Sequence, residues 1–541
     1  MTGQPWWRDA VVYQIYPRSF ADGDGDGVGD LAGIRAHLPY VRALGADAVW
    51  FTPWYPSAGA DGGYDVADYR AIDPVFGTLA EAEALIAEAH ELGLRTIVDV
   101  VPNHLAATHP WFAAAVAAGP GSPERDRFFF RAGRGARGDL PPNDWASVFG
   151  GPAWTRVSEP DGTPGEWYLH LFAPAQVDLN WRNAQVRAEF EDVLRFWFDR
   201  GVAGIRVDSA TMISKDPALP PVPVHPGPGE HPYIDRDDVH DVYRGWRAVA
   251  DAAGVGRILV GEVWLGDGAR LARYLRPDEM HTAFNFDLMT QPWDPAAVRA
   301  SIVRTLSHHA PMGAPATWVL SNHDVTRPVT RYGRTDTAFD ISTPRRVVPT
   351  DLRLGTARAR AAALLVGALP GVLYVYQGDE LGLPEVEDLP PSARMDPIFA
   401  QTGGADLGRD GCRVPLPWDG QAPPFGFSPP EAAPPWLPQP GTWTDLTVAR
   451  QESEPGSVLR LYRDMLRIRG AVLAGRAAPL RWVDAPDGAV AFERAGQLRC
   501  TVNMAGGPVP LPAGEVLLAS GPLSPGELPP DTAVWTRVTS A

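Results

Sequence analysis

A (β/α)8 barrel with two attachments is the fold this sequence predicts, and three observations predict it. Eight short apolar runs recur along the chain, with longer amphipathic segments between them. The runs are apolar throughout rather than alternating, as parallel strands covered on both faces must be. The chain has 541 residues, too many for one ordinary domain, and the alternation is broken at two places that read as separate units.

The runs lie at 11–16, 48–52, 95–101, 204–208, 257–263, 282–286, 317–321 and 371–376. Helical periodicity is clearest at 31–44, 79–92, 184–198, 237–252, 295–306, 356–369 and 457–468. Between the third run and the next helix, residues 104–181 are rich in glycine, proline and aromatics. A connection that long is a small domain or a wall of the active site. Beyond residue 472 the pattern turns to alternation, as at 489–494 and 498–503, bounded by turn residues. The expected layout is therefore a catalytic barrel from 1–103 and 182–471, an inserted domain from 104–181, and a C-terminal antiparallel β-sandwich from 472–541. The irregular stretches 335–351 and 382–439 fall where a barrel opens, at the C-terminal ends of its strands.

The net charge of −17 and pI near 5.2 argue against nucleic acid and anionic membrane as partners. The 19 tryptophans suit sugar binding as well as core packing. The two cysteines, Cys412 and Cys500, form no disulfide framework or zinc spacing. Residues 1–10 lack the basic-then-apolar pattern of a secretory leader, and the most apolar stretch, 361–376, is interrupted by Pro370. The expectation is a cytoplasmic enzyme of small molecules with no membrane span; the sequence does not report its oligomeric state.

In a barrel the chemistry sits where strands end. The third run leads into Asp99-Val-Val-Pro-Asn103-His104, the fourth ends Arg206-Val-Asp208, the fifth Gly261-Glu262-Val-Trp264, and the seventh Ser321-Asn-His323-Asp324. Three strand-end carboxylates, two histidines and an arginine thus converge on one mouth. These blocks, in this order, resemble the motif regions of the α-amylase family of glycoside hydrolases, over nearly the whole chain. Tyr13-Gln-Ile-Tyr-Pro-Arg-Ser-Phe20 and Gln176-Val-Asp178-Leu-Asn180 resemble its α-glucosidase and oligo-1,6-glucosidase branch.

The resemblance implies Asp208 as nucleophile, Glu262 as general acid/base and Asp324 as the carboxylate that stabilises the transition state. Retaining hydrolysis needs two carboxyls about 5–5.5 Å apart, one ionised and one protonated. Arg206, two residues from Asp208 on one strand, faces the same side and can orient it. His323 would grip ring hydroxyls beside Asp324. In Asp61-Gly-Gly-Tyr64-Asp65 the resemblance implies that Asp61 binds the terminal glucose and Tyr64 is its stacking platform. It makes His104 a hydroxyl donor and Arg413, in Gly411-Cys-Arg413-Val-Pro-Leu-Pro-Trp418, the arginine paired with Asp61. Phe172 and Gln176 would line the pocket from the inserted domain. Asp65, Asp99 and Arg327 read as supports.

One segment carries metal chemistry. Asp22-Gly-Asp24-Gly-Asp26-Gly-Val28-Gly-Asp30 places carboxylates at alternate positions around glycine turns, a hard-cation pattern. Gly33 stands where an EF-hand would close with glutamate. The resemblance implies ligands from Asp22, Asp24, Asp26, the Val28 carbonyl and Asp30 around a structural Ca2+, with Mg2+ as the second choice. The reading for the whole chain is an exo-acting α-glucosidase on short oligosaccharides or small glucosides. Ser209 after the nucleophile leans it toward α-1,4 linkages. The rival on the same scaffold is a transglucosidase, sucrose isomerase or trehalose synthase. A non-catalytic sugar-binding or transporter-subunit relative is the rival of another class, set against it by the intact carboxylates.

Overall fold

The computed structural model describes residues 5–473 and 479–538; the parts of the expected spans at 1–4, 474–478 and 539–541 lie outside them. Eight parallel strands form the central sheet: β1 (Val11–Ile15), β2 (Ala48–Phe51), β3 (Arg95–Val100), β4 (Gly204–Val207), β5 (Ile258–Glu262), β6 (Thr282–Phe284), β7 (Thr317–Trp318) and β8 (Val372–Tyr376). They pair in the order β6-β5-β4-β3-β2-β1-β8-β7. The Thr317 hydroxyl bridges the remaining seam, donating to the Ala283 carbonyl at 2.6 Å and accepting from Asn285 N at 2.9 Å. Each strand lies on one of the eight apolar runs. β7 is shorter than expected, because after Trp318 the chain leaves the sheet and Ser321 hydrogen-bonds Asp379 (2.7 and 2.8 Å).

Two cores explain the unbroken apolarity of the strands. Val12, Ala48, Trp50, Ile97, Val260 and Tyr374 fill the barrel interior. Their neighbours Val11, Tyr13, Val49, Phe51 and Val98 face outward into the helical layer. Every second residue thus meets a different apolar surface, and neither face can be polar.

The helices start where side chains can cap them. Thr78 and Glu81 form a reciprocal capping box at α2 (Leu79–Glu91). Asp30 caps α1 (Leu31–Leu44), and Asn183 caps α3 (Ala184–Asp199). The helix expected from 356 begins at Leu352, since Asp351 accepts from Leu354 N at 3.0 Å and captures an extra turn.

Between β3 and α3 the chain builds two small antiparallel sheets. One pairs Pro164–Leu169 with Trp154–Ser158 and Phe130–Arg131; the other pairs His104–Ala106 with Gln176–Asp178. The register His104↔Asp178 and Ala106↔Gln176 staples both ends of this segment to the barrel mouth. After Val458–Leu473 comes an antiparallel sheet of five strands, with a further two-stranded pair. Among the described residues no helix is long and apolar enough to cross a membrane.

Candidate active site

Strand register assembles the centre. Asp99 on β3 pairs with Arg206 on β4, and Val260 on β5 pairs with Arg206 from the other side. Asp208 and Glu262 therefore emerge side by side, one step above Arg206. The guanidinium is 1% exposed and bridges all three carboxylates. Nη1 lies 2.8 Å from Asp99 Oδ1 and 2.8 Å from Asp208 Oδ1, while Nη2 lies 2.8 Å from Glu262 Oε2. Ser209, at φ 45°, turns its N–H to Glu262 Oε2 at 2.9 Å. The other oxygen of Glu262 accepts from Trp264 Nε1 at 3.1 Å.

One cation against three buried carboxyls leaves excess negative charge, and burial penalises it. Burial raises the Asp99 carboxyl to about 7 even with Arg206 opposing. Burial, with Glu262 and Asp99 beside it, also raises Asp208, and Arg206 again opposes. The cluster thus retains a proton close to neutral pH, as a set rather than on one assigned oxygen.

Asp324 lies in the opposite field. Burial would raise its carboxyl, but His323, Arg409 and Arg413 outweigh it and hold the group far below the usual carboxylate range. Arg409 Nη1 and Arg413 Nη2 donate to its Oδ1 at 3.0 and 2.9 Å. His323 is pushed down to about 3 by burial, so it is neutral. Its Nδ1 accepts from Gln14 Nε2 at 2.8 Å, which assigns the ring proton to Nε2. That nitrogen lies 3.2 Å from Asp324 Oδ2 without an aligned hydrogen bond. Tyr64 stacks on the His323 ring, with centroids 5.3 Å apart and planes 4° from parallel.

Asp61 is gripped from two sides, by Gln176 Nε2 on Oδ2 (3.1 Å) and by an arginine on Oδ1 (2.6 Å). That arginine is Arg409 rather than the expected Arg413. Arg409 also donates from Nε to Asp396 Oδ2 at 2.6 Å, and Asp396 is aimed by capping the short helix Pro397–Gln401. Arg413 instead spans Asp324 and the His323 carbonyl, the latter at 2.8 Å from Nε. The two arginines stand four residues apart in an irregular loop, where no periodicity separates their roles.

His104 is neutral too, pushed down to about 3 by burial. Its Nε2 faces the Tyr64 carbonyl at 3.0 Å and its Nδ1 meets Asn103 Nδ2 at 3.1 Å. Phe172 packs on the His104 ring at 5.0 Å. Sequence reasoning missed four partners here. Lys215, fully buried, holds Asn103 Oδ1 at 2.6 Å and Asp178 Oδ2 at 2.8 Å. Phe149 lies under the Arg409 guanidinium at 5.1 Å, and Arg345 donates to the Asp324 carbonyl. Asp396 is the fourth. Only Asp178, inside the quoted Gln176–Asn180 block, gave a signal that could have led to Lys215.

The loop after β1 brings Asp22, Asp24 and Asp30 together, one oxygen of each within 4.8 Å of the others. Three hard oxygen donors at that spacing fit a divalent cation. Asp26 is not part of this group; its Oδ1 accepts from Val28 N at 2.7 Å. Asp22 accepts from Gly25 N and Gly27 N, and Asp30 from Gly23 N, Asp24 N and Gly33 N, so the backbone wraps the carboxylates.

Residues 14–474 match the family described as alpha amylase, catalytic domain. A probable alpha-glucosidase of Rhizobium meliloti (strain 1021) is 38% identical over 523 residues, covering 92% of this chain and 89% of the relative. An oligo-1,6-glucosidase of Parageobacillus thermoglucosidasius is 33% identical, covering 86% of this chain and 83% of the relative. Among solved structures, the alpha-glucosyl transfer enzyme XgtA superposes with a TM-score of 0.84 at 35% identity, covering 99% of this chain and 100% of that one. The trehalulose synthase MutB from Pseudomonas mesoacidophila MX-45 superposes with a TM-score of 0.86 at 30% identity and the same coverage.

Proposed function

We infer, since the chain belongs to the α-amylase family, that it is a retaining, exo-acting α-glucosidase releasing terminal α-linked glucose from short oligosaccharides or small glucosides. The observation that carries this reading is the single guanidinium of Arg206 bridging Asp208 and Glu262, with both contacts at 2.8 Å. Carboxyls shared by one guanidinium suit the close spacing of a retaining pair rather than the wider gap that admits a water between them.

Glu262 protonates the glycosidic oxygen while Asp208 attacks the anomeric carbon, giving a glucosyl ester. Glu262 then takes a proton from water, and the water attacks the ester carbon and releases Asp208. Asp324, kept ionised by its two arginines, faces the positive charge that develops on the ring. His323, neutral with its proton on Nε2, offers that N–H to a hydroxyl, while His104, whose own N–H is held by the Tyr64 carbonyl, lines the pocket beside it. Asp61, Arg409 and Gln176 close the far side of the pocket and limit it to one glucose. Ser209, small and polar beside the nucleophile, supports the lean toward α-1,4 linkages. The loop carboxylates Asp22, Asp24 and Asp30, with Asp26 and the Val28 carbonyl nearby, would hold a Ca2+ ion that adds rigidity and takes no part in bond cleavage. The two buried free thiols, Cys412 and Cys500, accord with a cytoplasmic setting.

The test is glucose release from maltose, isomaltose, sucrose, trehalose and a nitrophenyl α-glucoside, beside Asp208→Asn. Release that the variant abolishes supports the reading and ranks the linkages. No release, with transfer of glucose to an added sugar acceptor, would favour a transglucosidase or isomerase working through the same ester. Neither release nor transfer would leave a sugar-binding role.

A further inference from the structure

An amide stands inside the apolar barrel. Side chains alternate along β1, so Val12 and Gln14 both point inward, and each is 1% exposed. Val12 packs in the apolar interior; Gln14, one layer nearer the mouth, pairs in register with Trp50 and Tyr376. A buried amide is costly there unless it is hydrogen-bonded. Among the described residues its side chain makes one hydrogen bond, from Nε2 to Nδ1 of His323 at 2.8 Å. The far nitrogen of the ring decides which way that bond runs. Arg409 and Arg413 keep Asp324 ionised, and its Oδ2 lies 3.2 Å from His323 Nε2. A bare Nε2 would set a lone pair against a carboxylate, so Nε2 carries the proton and Nδ1 accepts. Only the NH2 end of an amide serves Nδ1 in that state. Tyr64 and Tyr16 stack on the ring, 4° and 19° from parallel, and hold its plane. Nε2 itself is buried with no aligned acceptor among the described residues, which leaves its N–H for a ligand.

We propose that Gln14 is a positioning residue: its amide, paired with Nδ1, holds the His323 proton on Nε2, where it meets a hydroxyl of the bound sugar. This rests on the α-glucosidase reading and extends the machinery that grips the sugar to the first strand. Gln14 acts through the imidazole. The charged groups facing the ring are Asp324, Arg413, Arg206 and Arg409, and Nδ1 bonds to none of them. The amide is neutral, so it sets the proton without adding charge to a centre that already gathers three carboxyls on Arg206. A carboxylate of equal size in its place would do the opposite, accepting from Nδ1 and leaving Nε2 bare.

The test compares Gln14→Glu, Gln14→Met and His323→Asn with wild type. In Gln14→Glu the ring proton moves to Nδ1, and only a second proton, on either partner, returns the donor to Nε2. The variant's kcat/KM on a nitrophenyl α-glucoside should therefore approach wild type in acid. At alkaline pH it should fall roughly 5- to 150-fold below, the loss for a hydroxyl left unpaired. Gln14→Met removes the tether without adding a proton site, so its deficit, roughly 2- to 12-fold, should not vary with pH. Turnover of the monodeoxy nitrophenyl α-glucosides locates the hydroxyl concerned: the deficits of all the variants should shrink on the same one. Deficits spread evenly over that panel, or a Gln14→Glu deficit independent of pH, overturn the proposal; if Gln14→Glu does not fold, the panel with Gln14→Met decides. Nitrogen-15 NMR of histidine-labelled protein reads the proton directly, the His323 signals being those absent from His323→Asn. Wild type with the proton on Nδ1, or no move to Nδ1 in Gln14→Glu at alkaline pH, also overturns it. The expected NMR signals in a wild type that cleaves no α-glucoside keep the positioning role and overturn the hydrolase reading.

Discussion

Arg409 ties Asp61, Asp324 and Asp396 into one knot, with contacts between 2.6 and 3.0 Å. Replacing it frees the carboxylate that would hold the terminal glucose and weakens the field on the one that would face the transition state. A charge-assisted hydrogen bond contributes about 1.5–3 kcal/mol, and two such contacts bear on substrate. Arg409→Met should therefore lower kcat/KM on maltose by roughly 100- to 10,000-fold. Arg413→Met, which removes only one contact to Asp324, should cost roughly 10- to 100-fold. Steady-state kinetics of the pair decide the matter; a larger loss at Arg413 would return the Asp61 partnership to that residue. A second prediction concerns protons. The Asp99 carboxyl, raised to about 7, binds a proton in the folded state that the unfolded chain has released above its ordinary value near 4. More protons bound when folded means that this contribution to stability falls as pH rises from about 4 to about 7. Asp324 has the opposite sign: its contribution is present above the ordinary carboxylate value and is lost as pH falls toward its depressed one. For turnover, kcat/KM should drop on the alkaline side of about pH 7 as the Arg206 cluster gives up its proton. Asp99→Asn should move that limb; a profile unchanged by the substitution would place the proton elsewhere.

At the scale of elements, the loop between β1 and α1 gathers the three carboxylates that the proposed Ca2+ would neutralise. Asp30 both joins the carboxylate group and caps α1, accepting from Gly33 N. Gly27 sits at φ 91°, where a Cβ would come 2.3 Å from the Pro434 carbonyl oxygen, so the loop is pressed against the segment after β8. Ca2+ should raise the melting temperature and EGTA lower it, and Asp24→Asn should abolish the response while leaving the cap of α1 intact. A melting temperature indifferent to Ca2+ would leave the loop an acidic turn held by its own backbone. The elements also show what sequence could carry. Barrel strands were legible because both of their faces are apolar, and the proposed nucleophile and acid/base because Asp208 and Glu262 stand at the ends of two of those strands. The helix at Leu352 started early because a single Asp351 cap decides it. Arg409, Arg345 and Asp396 were not legible: they lie in long loops, where residue type alone does not say which guanidinium meets which carboxylate. Lys215 was hidden for another reason, since a lysine reads as surface until Asp178 and Asn103 are brought round it by the inserted segment.

For the whole molecule, the helix Leu352–Ala368 is the joint between barrel and C-terminal sheet. Its last carbonyls would be orphans in a buried place. Arg469, from the helix Val458–Leu473, donates to the Gly367 and Leu369 carbonyls at 2.7 and 3.0 Å, and Arg494, from the C-terminal sheet, donates to the Ala368 carbonyl at 2.8 Å. Trp535 of the same sheet reaches the Leu364 carbonyl from Nε1 at 3.0 Å and is fully buried. Gly367 lets the two layers close, since a Cβ there would come 2.5 Å from Met465 Sδ. Positive side chains at a helix C-terminus also meet the negative end of its dipole. Arg469→Met keeps the stem but takes the guanidinium from the Gly367, Leu369 and Gly371 carbonyls, at about 1–3 kcal/mol for each buried group left unpaired. With Arg494 and Trp535 of the sheet both bonded to this helix, the C-terminal sheet and the barrel should unfold as one unit. The expected outcome in urea is a single transition for wild type and for Arg469→Met, shifted to lower denaturant with unchanged slope. A variant that instead melts in two steps, with the barrel's active-site signal surviving the first, would show that the sheet is an accessory and that this joint does not bind the two into one cooperative body.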